Sequence, residues 1–174
     1  LKAGIEQPGT MAAVVGLDSE KLDEICIKAS EKGIVQAANY NSPGQIVISG
    51  SVEGVKHAMD LCKSEGAKLV KELVVSGAFH SPLMSSAKER LVNQINDTPF
   101  FDSKIPVYAN VTAKPVYSSD SIKDLLIQQL TKPVRWEETI KNMVTDGIEE
   151  FYEIGPGKVL QGLVKRISPN AKVF

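Results

Sequence analysis

Between residues 11 and 75 the apolar positions switch repeatedly between a period of two and a period near 3.6. Met11 to Leu17 (MAAVVGL) reads as a strand. Asp18 or Ser19 can then cap a helix with Leu22, Ile25, Cys26 and Ala29 on its apolar side, closed by Gly33. Val35 to Asn39 and Gln45 to Ser49 flank the turn cluster Asn41-Ser42-Pro43-Gly44, which predicts a hairpin. Ser51 caps a second helix striped by Val55, Ala58, Met59 and Cys62. Gly66 ends it, and Lys68 to Val75 supplies a last strand. The order is βαββαβ, the split βαβ arrangement of a ferredoxin-like unit. Residues 1–10 are expected to be the end of a preceding helix or a linker, and the pattern by itself names no function.

After Gly77 the rhythm is that of an α/β segment. A helix is predicted from Pro82 to about Asn96, a strand around Pro106 to Val111 and a helix from about Ser121 to Leu130. Pro133 breaks the chain, Val134 to Thr145 reads as helix, Ile148 to Ile154 as strand, and Gly155-Pro156-Gly157 turns into a last helix with Val159, Leu160, Leu163 and Ile167. The division expected is therefore 1–10, 11–75 and 76–174.

Charge and composition narrow the partners. The net charge is −1 with no run of one sign, which argues against nucleic acid or an anionic membrane. No apolar stretch approaches the roughly 18 residues a membrane span needs, and the chain is expected to be cytoplasmic. Cys26 and Cys62 fall on the apolar stripes of the two helices, as small buried thiols do. With only His57 and His80 beside them and no close Cys/His spacing, no metal site is expected. The chain opens without an initiator Met, at Leu1-Lys2-Ala3-Gly4, and reads as part of something longer.

One histidine stands out. His80, in Ser76-Gly77-Ala78-Phe79-His80-Ser81-Pro82-Leu83-Met84, lies between a predicted strand and a helix with Ser81 as N-cap and Pro82 at its first position. The positive end of a helix disfavours imidazolium and keeps the ring available as a base. A histidine simply satisfied within a loop is the other reading of the same context. His57 lies off the apolar stripe of its helix and is expected at the surface.

Four segments carry a resemblance. NYNSPGQIVISG (Asn39 to Gly50), GAFHSPLM (Gly77 to Met84), Gln129-Leu130 through Pro133-Val134-Arg135-Trp136, and EIGPGKVL (Glu153 to Leu160) are similar, in order and spacing, to the bacterial malonyl-CoA:acyl carrier protein transacylases. The resemblance covers nearly the whole chain and implies an α/β-hydrolase-like large subdomain, here its C-terminal part, interrupted by a ferredoxin-like small one. It implies transfer of malonyl from coenzyme A to the phosphopantetheine thiol of acyl carrier protein in fatty-acid biosynthesis, by a ping-pong Ser/His mechanism with no cofactor. Malonyl-CoA and acyl carrier protein are the implied partners, and the complete enzyme is expected to be a monomer.

By the same resemblance His80 is the catalytic base, oriented by the main-chain carbonyl of Gln129 instead of a carboxylate. Phe79 is the residue type of malonyl-selecting members, a ring that crowds the α-carbon pocket, and it can equally serve as packing. Asn39 and Asn41 lie in the segment that faces the cleft in relatives, where they meet substrate or the pantetheine arm, or serve the turn's backbone. The departure is large: no Gly-x-Ser-x-Gly elbow occurs in these residues, and Arg90, Arg135 and Arg166 do not match the family's malonate-binding arginine motif. Ser76 and Ser81 neighbour His80 without lying on an elbow, so the chain alone is expected to be inactive. A polyketide synthase acyltransferase domain, and a non-catalytic ferredoxin-like binding module, are the competing readings.

Overall fold

In the computed structural model, which describes residues 2–174, a short helix α1 (Lys2–Glu6) leads into strand β1 (Gly9–Val15). The leading segment is thus helical where it is described, Leu1 lies outside the described residues, and the strand begins two residues before the expected position. Helix α2 (Ser19–Ala29) follows with Asp18 as its N-cap, the carboxylate accepting from Lys21 N at 2.8 Å. Strands β2 (Val35–Ser42) and β3 (Gln45–Ser51) form the hairpin. Helix α3 (Val52–Ser64) starts at the Ser51 cap, and β4 (Leu69–Glu72) closes the unit. The four strands lie in the order β2-β3-β1-β4, every neighbour antiparallel. In that order each helix carries the chain across one intervening strand.

The two helices fill one face of this sheet. Leu22, Ile25, Cys26 and Ala29 from α2 meet Val55, Ala58 and Cys62 from α3 over Ala12, Val14, Val35, Ala37, Ile46 and Ile48. Leu22, Ile48 and Val55 are wholly buried, and burying each contributes roughly 1.5–3 kcal/mol. The alternate residues of the strands, Met11, Ala38 and Val47, form a smaller cluster on the opposite face with Ala13 and Leu73. Burial on both faces explains why MAAVV is a continuous apolar run instead of an alternating one.

The second half departs from the expectation in its strands. The predicted strand 106–111 is reduced to β5 (Val107–Tyr108), paired antiparallel with an unforeseen β6 (Pro115–Val116), and 148–154 is reduced to β7 (Glu150–Phe151), paired parallel with β8 (Lys172–Val173). A strand needs a ladder on its flank, and among the described residues these pairs are separate two-stranded sheets. The helices hold better: α4 (Ser85–Asn96), α5 (Ser119–Gln128), α6 (Trp136–Thr145) and α7 (Val159–Ile167). The helix expected from Pro82 begins as a 3-10 turn (Pro82–Met84) before α4, and Val134 is not helical. Its amide donates to Ala38 O at 2.8 Å and its carbonyl accepts from Tyr40 N at 2.9 Å, so the chain after Pro133 extends along the outer edge of β2. Ile140, Val164 and Ala171 form a second core with Trp136, Phe151 and Val173 around them.

Candidate active site

The loop between β4 and α4 is brought onto the sheet by glycine. A Cβ on Gly9 would lie 2.7 Å from Ala78 Cβ and 3.0 Å from Leu83 Cδ1, so only a bare backbone lets the Gly77 to Leu83 segment pack so close to the start of β1. Ser81 then fixes the loop. It is fully buried, its hydroxyl donates to Ala78 O at 2.7 Å, and it accepts from Leu83 N at 3.3 Å as cap of the 3-10 turn. A serine so engaged is a structural group and not a free nucleophile. Ser76 is exposed on the far side of Gly77.

Between these anchors His80 takes a positive φ of 58°, a conformation that costs about 1–2 kcal/mol for a residue with a Cβ and that surrounding contacts must hold. Its Nδ1 lies 2.8 Å from the main-chain oxygen of Gln129. A carbonyl oxygen only accepts, so Nδ1 carries the proton in this bond, and in the neutral ring the lone pair is left on Nε2. The sequence thus names a pair, His80 and Gln129, that the fold brings together from the β4–α4 loop and the end of α5.

Two amides complete the arrangement, and neither is anticipated from the sequence. Gln36, on β2, donates through Nε2 to His80 O at 2.8 Å and to Thr131 O at 3.4 Å. Asn110 Nδ2 donates to Gln129 Oε1 at 3.3 Å, and the main-chain carbonyl of Asn110 accepts from Arg135 N at 3.0 Å. The only sequence signal for Gln36 is a long amide set between the apolar Val35 and Ala37. A cavity of about 370 Å³ opens beside Gln36, Tyr40, Pro82, Thr131 and Pro133, and a second of about 200 Å³ beside Asn110 and Gln129.

The remaining expected site residues are placed less centrally. Phe79 adjoins His80 and is 38% exposed, free to present its ring to whatever enters from solvent. Asn39 and Asn41, expected in a turn, lie instead within β2, which runs on to Ser42 and leaves Pro43-Gly44 as the turn. Register shifts between Ala37 and Asn39 and between Tyr40 and Ser42 absorb the extra residues, so pairing continues through the cluster. Neither asparagine hydrogen-bonds to His80 or Gln129 among the described residues. His57 projects from α3 to within 3.5 Å of Glu31.

Burial pushes the Cys26 thiol up to about 12 and that of Cys62 to about 11, so neither is a ready thiolate. Burial, and then the Asp23 carboxylate that accepts its hydroxyl at 3.0 Å, hold the Tyr40 phenol well above the ordinary tyrosine range. No group of three or more His, Cys, Asp or Glu among the described residues is placed to hold a metal, and no helix is long and apolar enough to cross a membrane.

Comparison with known proteins gives the same direction as the four motifs. The malonyl CoA-acyl carrier protein transacylase of Bacillus subtilis is 47% identical over 95% of this chain and 53% of its own length. The solved structure of the transacylase from Coxiella burnetii superposes with a TM-score of 0.92 at 41% identity, over 95% of this chain and 52% of that one. A malonyl-transacylase solved in complex with a type II polyketide synthase acyl-carrier protein superposes with a TM-score of 0.93 at 38% identity, over 98% of this chain and 56% of that one. The chain therefore spans about half the length of these relatives. Since the acyl transferase domain matches residues 1–171, almost from end to end, the chain belongs to the acyl transferase domain family.

Proposed function

We propose that this chain supplies the histidine half of an active site that transfers malonyl from coenzyme A to the phosphopantetheine thiol of acyl carrier protein. The observation that carries the reading is the 2.8 Å bond from His80 Nδ1 to the Gln129 carbonyl, which directs the free lone pair of the ring to Nε2. A base held this way takes the proton of a serine hydroxyl as that oxygen attacks the malonyl thioester, and returns one when coenzyme A leaves. In the second half-reaction it takes the proton of the pantetheine thiol, which resolves the acyl-enzyme, so the cycle is ping-pong. The carbonyl of Gln129 fixes the tautomer and steadies the imidazolium, the part a carboxylate plays in the commoner triad.

The serine and the malonate-binding arginine come from outside these residues, because no Gly-x-Ser-x-Gly occurs within them. On this reading residues 11–75 are a ferredoxin-like small subdomain and 76–174 the C-terminal part of an α/β-hydrolase-like large one. The four-stranded order β2-β3-β1-β4 supports the first assignment. Phe79 borders the acyl pocket, and Asn39 and Asn41 border the cleft from β2. The reaction needs no cofactor and belongs to cytoplasmic fatty-acid synthesis by a monomeric enzyme.

The decisive test is His80→Ala in the complete enzyme, which should lower malonyl transfer by roughly 10³-fold or more. Near-normal turnover would remove the assignment, and a non-catalytic binding module would then be the better reading. The isolated chain should have no transfer activity.

A further inference from the structure

We infer that Gln36 is a positioning residue that locks the base and its orienter into one unit, an inference that rests on reading His80 as the base. A primary amide has two N–H donors, and here they are spent on carbonyls from two separate segments. One goes to His80 O at 2.8 Å and the other to Thr131 O at 3.4 Å, two residues beyond Gln129. Only the NH₂ end of the side chain can face both carbonyls at once, so the orientation of the amide is dictated.

The geometry of the pair depends on both segments. His80 sits at a positive φ of 58°, which its own sterics disfavour. The Gln129 carbonyl holds the ring end of that residue, and Gln36 holds the carbonyl end. The Gln129 segment is tied to the same strand a second time, where Val134 N donates to Ala38 O and Tyr40 N donates to Val134 O. Strand β2 is thus the common frame, with one side chain and two backbone bonds reaching outward. Release of Gln36 would let the His80 loop relax toward ordinary φ and shift against the fixed Gln129 segment. The 2.8 Å bond that defines the base would lengthen first.

Because Gln36 also borders the cavity of about 370 Å³, a contact to substrate is the rival role, and kinetics separates the two. In the complete enzyme Gln36→Met keeps the length and packing of the side chain and removes both donors. Gln36→Glu keeps the shape and turns the amide into a carboxylate that repels both carbonyls. Each should lower kcat for malonyl transfer about 10- to 10²-fold, the effect of misplacing a catalytic group, with KM for malonyl-CoA changed less than about twofold. The downfield proton resonance of His80 Nδ1–H should broaden or vanish in both.

A kcat equal to the parent in either folded variant would overturn the role, as would an unchanged His80 resonance or a rise in KM that accounts for the whole loss in kcat/KM. Thermal unfolding identifies a variant that fails to fold, and the other is then read alone by the same criteria. His80→Ala run in parallel keeps the two ideas apart. If it is active the base assignment fails, whereas if it is inactive and the Gln36 variants are normal, only the positioning role fails.

Discussion

Gly54 offers a substitution whose sign separates local propensity from tertiary packing. It lies in the first turn of α3, where replacing glycine by alanine ordinarily stabilises a helix by about 1 kcal/mol. Here a Cβ would lie 2.5 Å from Gly33 O and 2.8 Å from Ile34 O, both backbone atoms of the segment that enters β2. Neither can swing aside as a side-chain tip could, so the helix must lift from β2. The Ser51 cap is strained with it, because Ser51 Oγ accepts from Gly54 N at 3.2 Å and donates to Ile34 O at 3.2 Å. Overpacking of this kind costs about 3 kcal/mol, and subtracting the helix gain leaves about 2 kcal/mol of net destabilisation. For a chain of this size that lowers Tm by roughly 4–8 °C. Gly162→Ala in α7 is the control: nothing lies within 4 Å of its Cβ, and it should gain about 0.5–1 kcal/mol. Thermal unfolding of both variants beside the parent decides the matter. A Gly54→Ala protein as stable as the parent would show that the contact between α3 and the start of β2 is looser than described.

Phe79→Ser should relax acyl selection, raising kcat/KM for methylmalonyl-CoA relative to malonyl-CoA in the complete enzyme, and an unchanged ratio would mean that the ring only packs. The two thiols should resist alkylation at pH 8 until the protein unfolds, since burial raises Cys26 to about 12 and Cys62 to about 11. The folded state keeps those protons where the unfolded chain releases them near 9, so stability should fall as pH rises from about 9 toward 12. A pH-independent urea midpoint across that range for the parent, set against a Cys26→Ala/Cys62→Ala variant, would contradict the burial.

The first seventy residues were legible because their signals are local. Leu22, Ile25, Cys26 and Ala29 mark a helix face within eleven residues, and Asp18 and Ser51 announce their caps. Strand length in the second half was not legible, because Ile148 to Ile154 has the composition of a strand but only Glu150 and Phe151 stand opposite strand residues, Lys172 and Val173. Whether an apolar run pairs is decided by what lies beside it, which no local window contains. The site divides in the same way. His80 is visible from its loop and Gln129 from the family resemblance, whereas Gln36 acts across long separations on main-chain carbonyls, which leave no trace in residue identity, and Asn110 meets the Gln129 side chain only once the chain is folded. Asn39 and Asn41 looked like turn formers, and two register shifts let the strand run through them.

The join between β2 and Val134 has an evolutionary consequence. It is made from main-chain groups alone, Val134 N to Ala38 O and Tyr40 N to Val134 O, so the join itself places almost no demand on the side chain at position 134. Homologues can drift at position 134 without opening the join, provided that proline does not enter it, whereas Ala38 is held by burial in the smaller core and Tyr40 by its bond to Asp23. A mutational scan of the complete enzyme should therefore find proline uniquely deleterious at position 134. The amide of Gln36 acts through its side chain and has no such latitude, so the same joint should be tolerant on the Val134 side and intolerant on the β2 side.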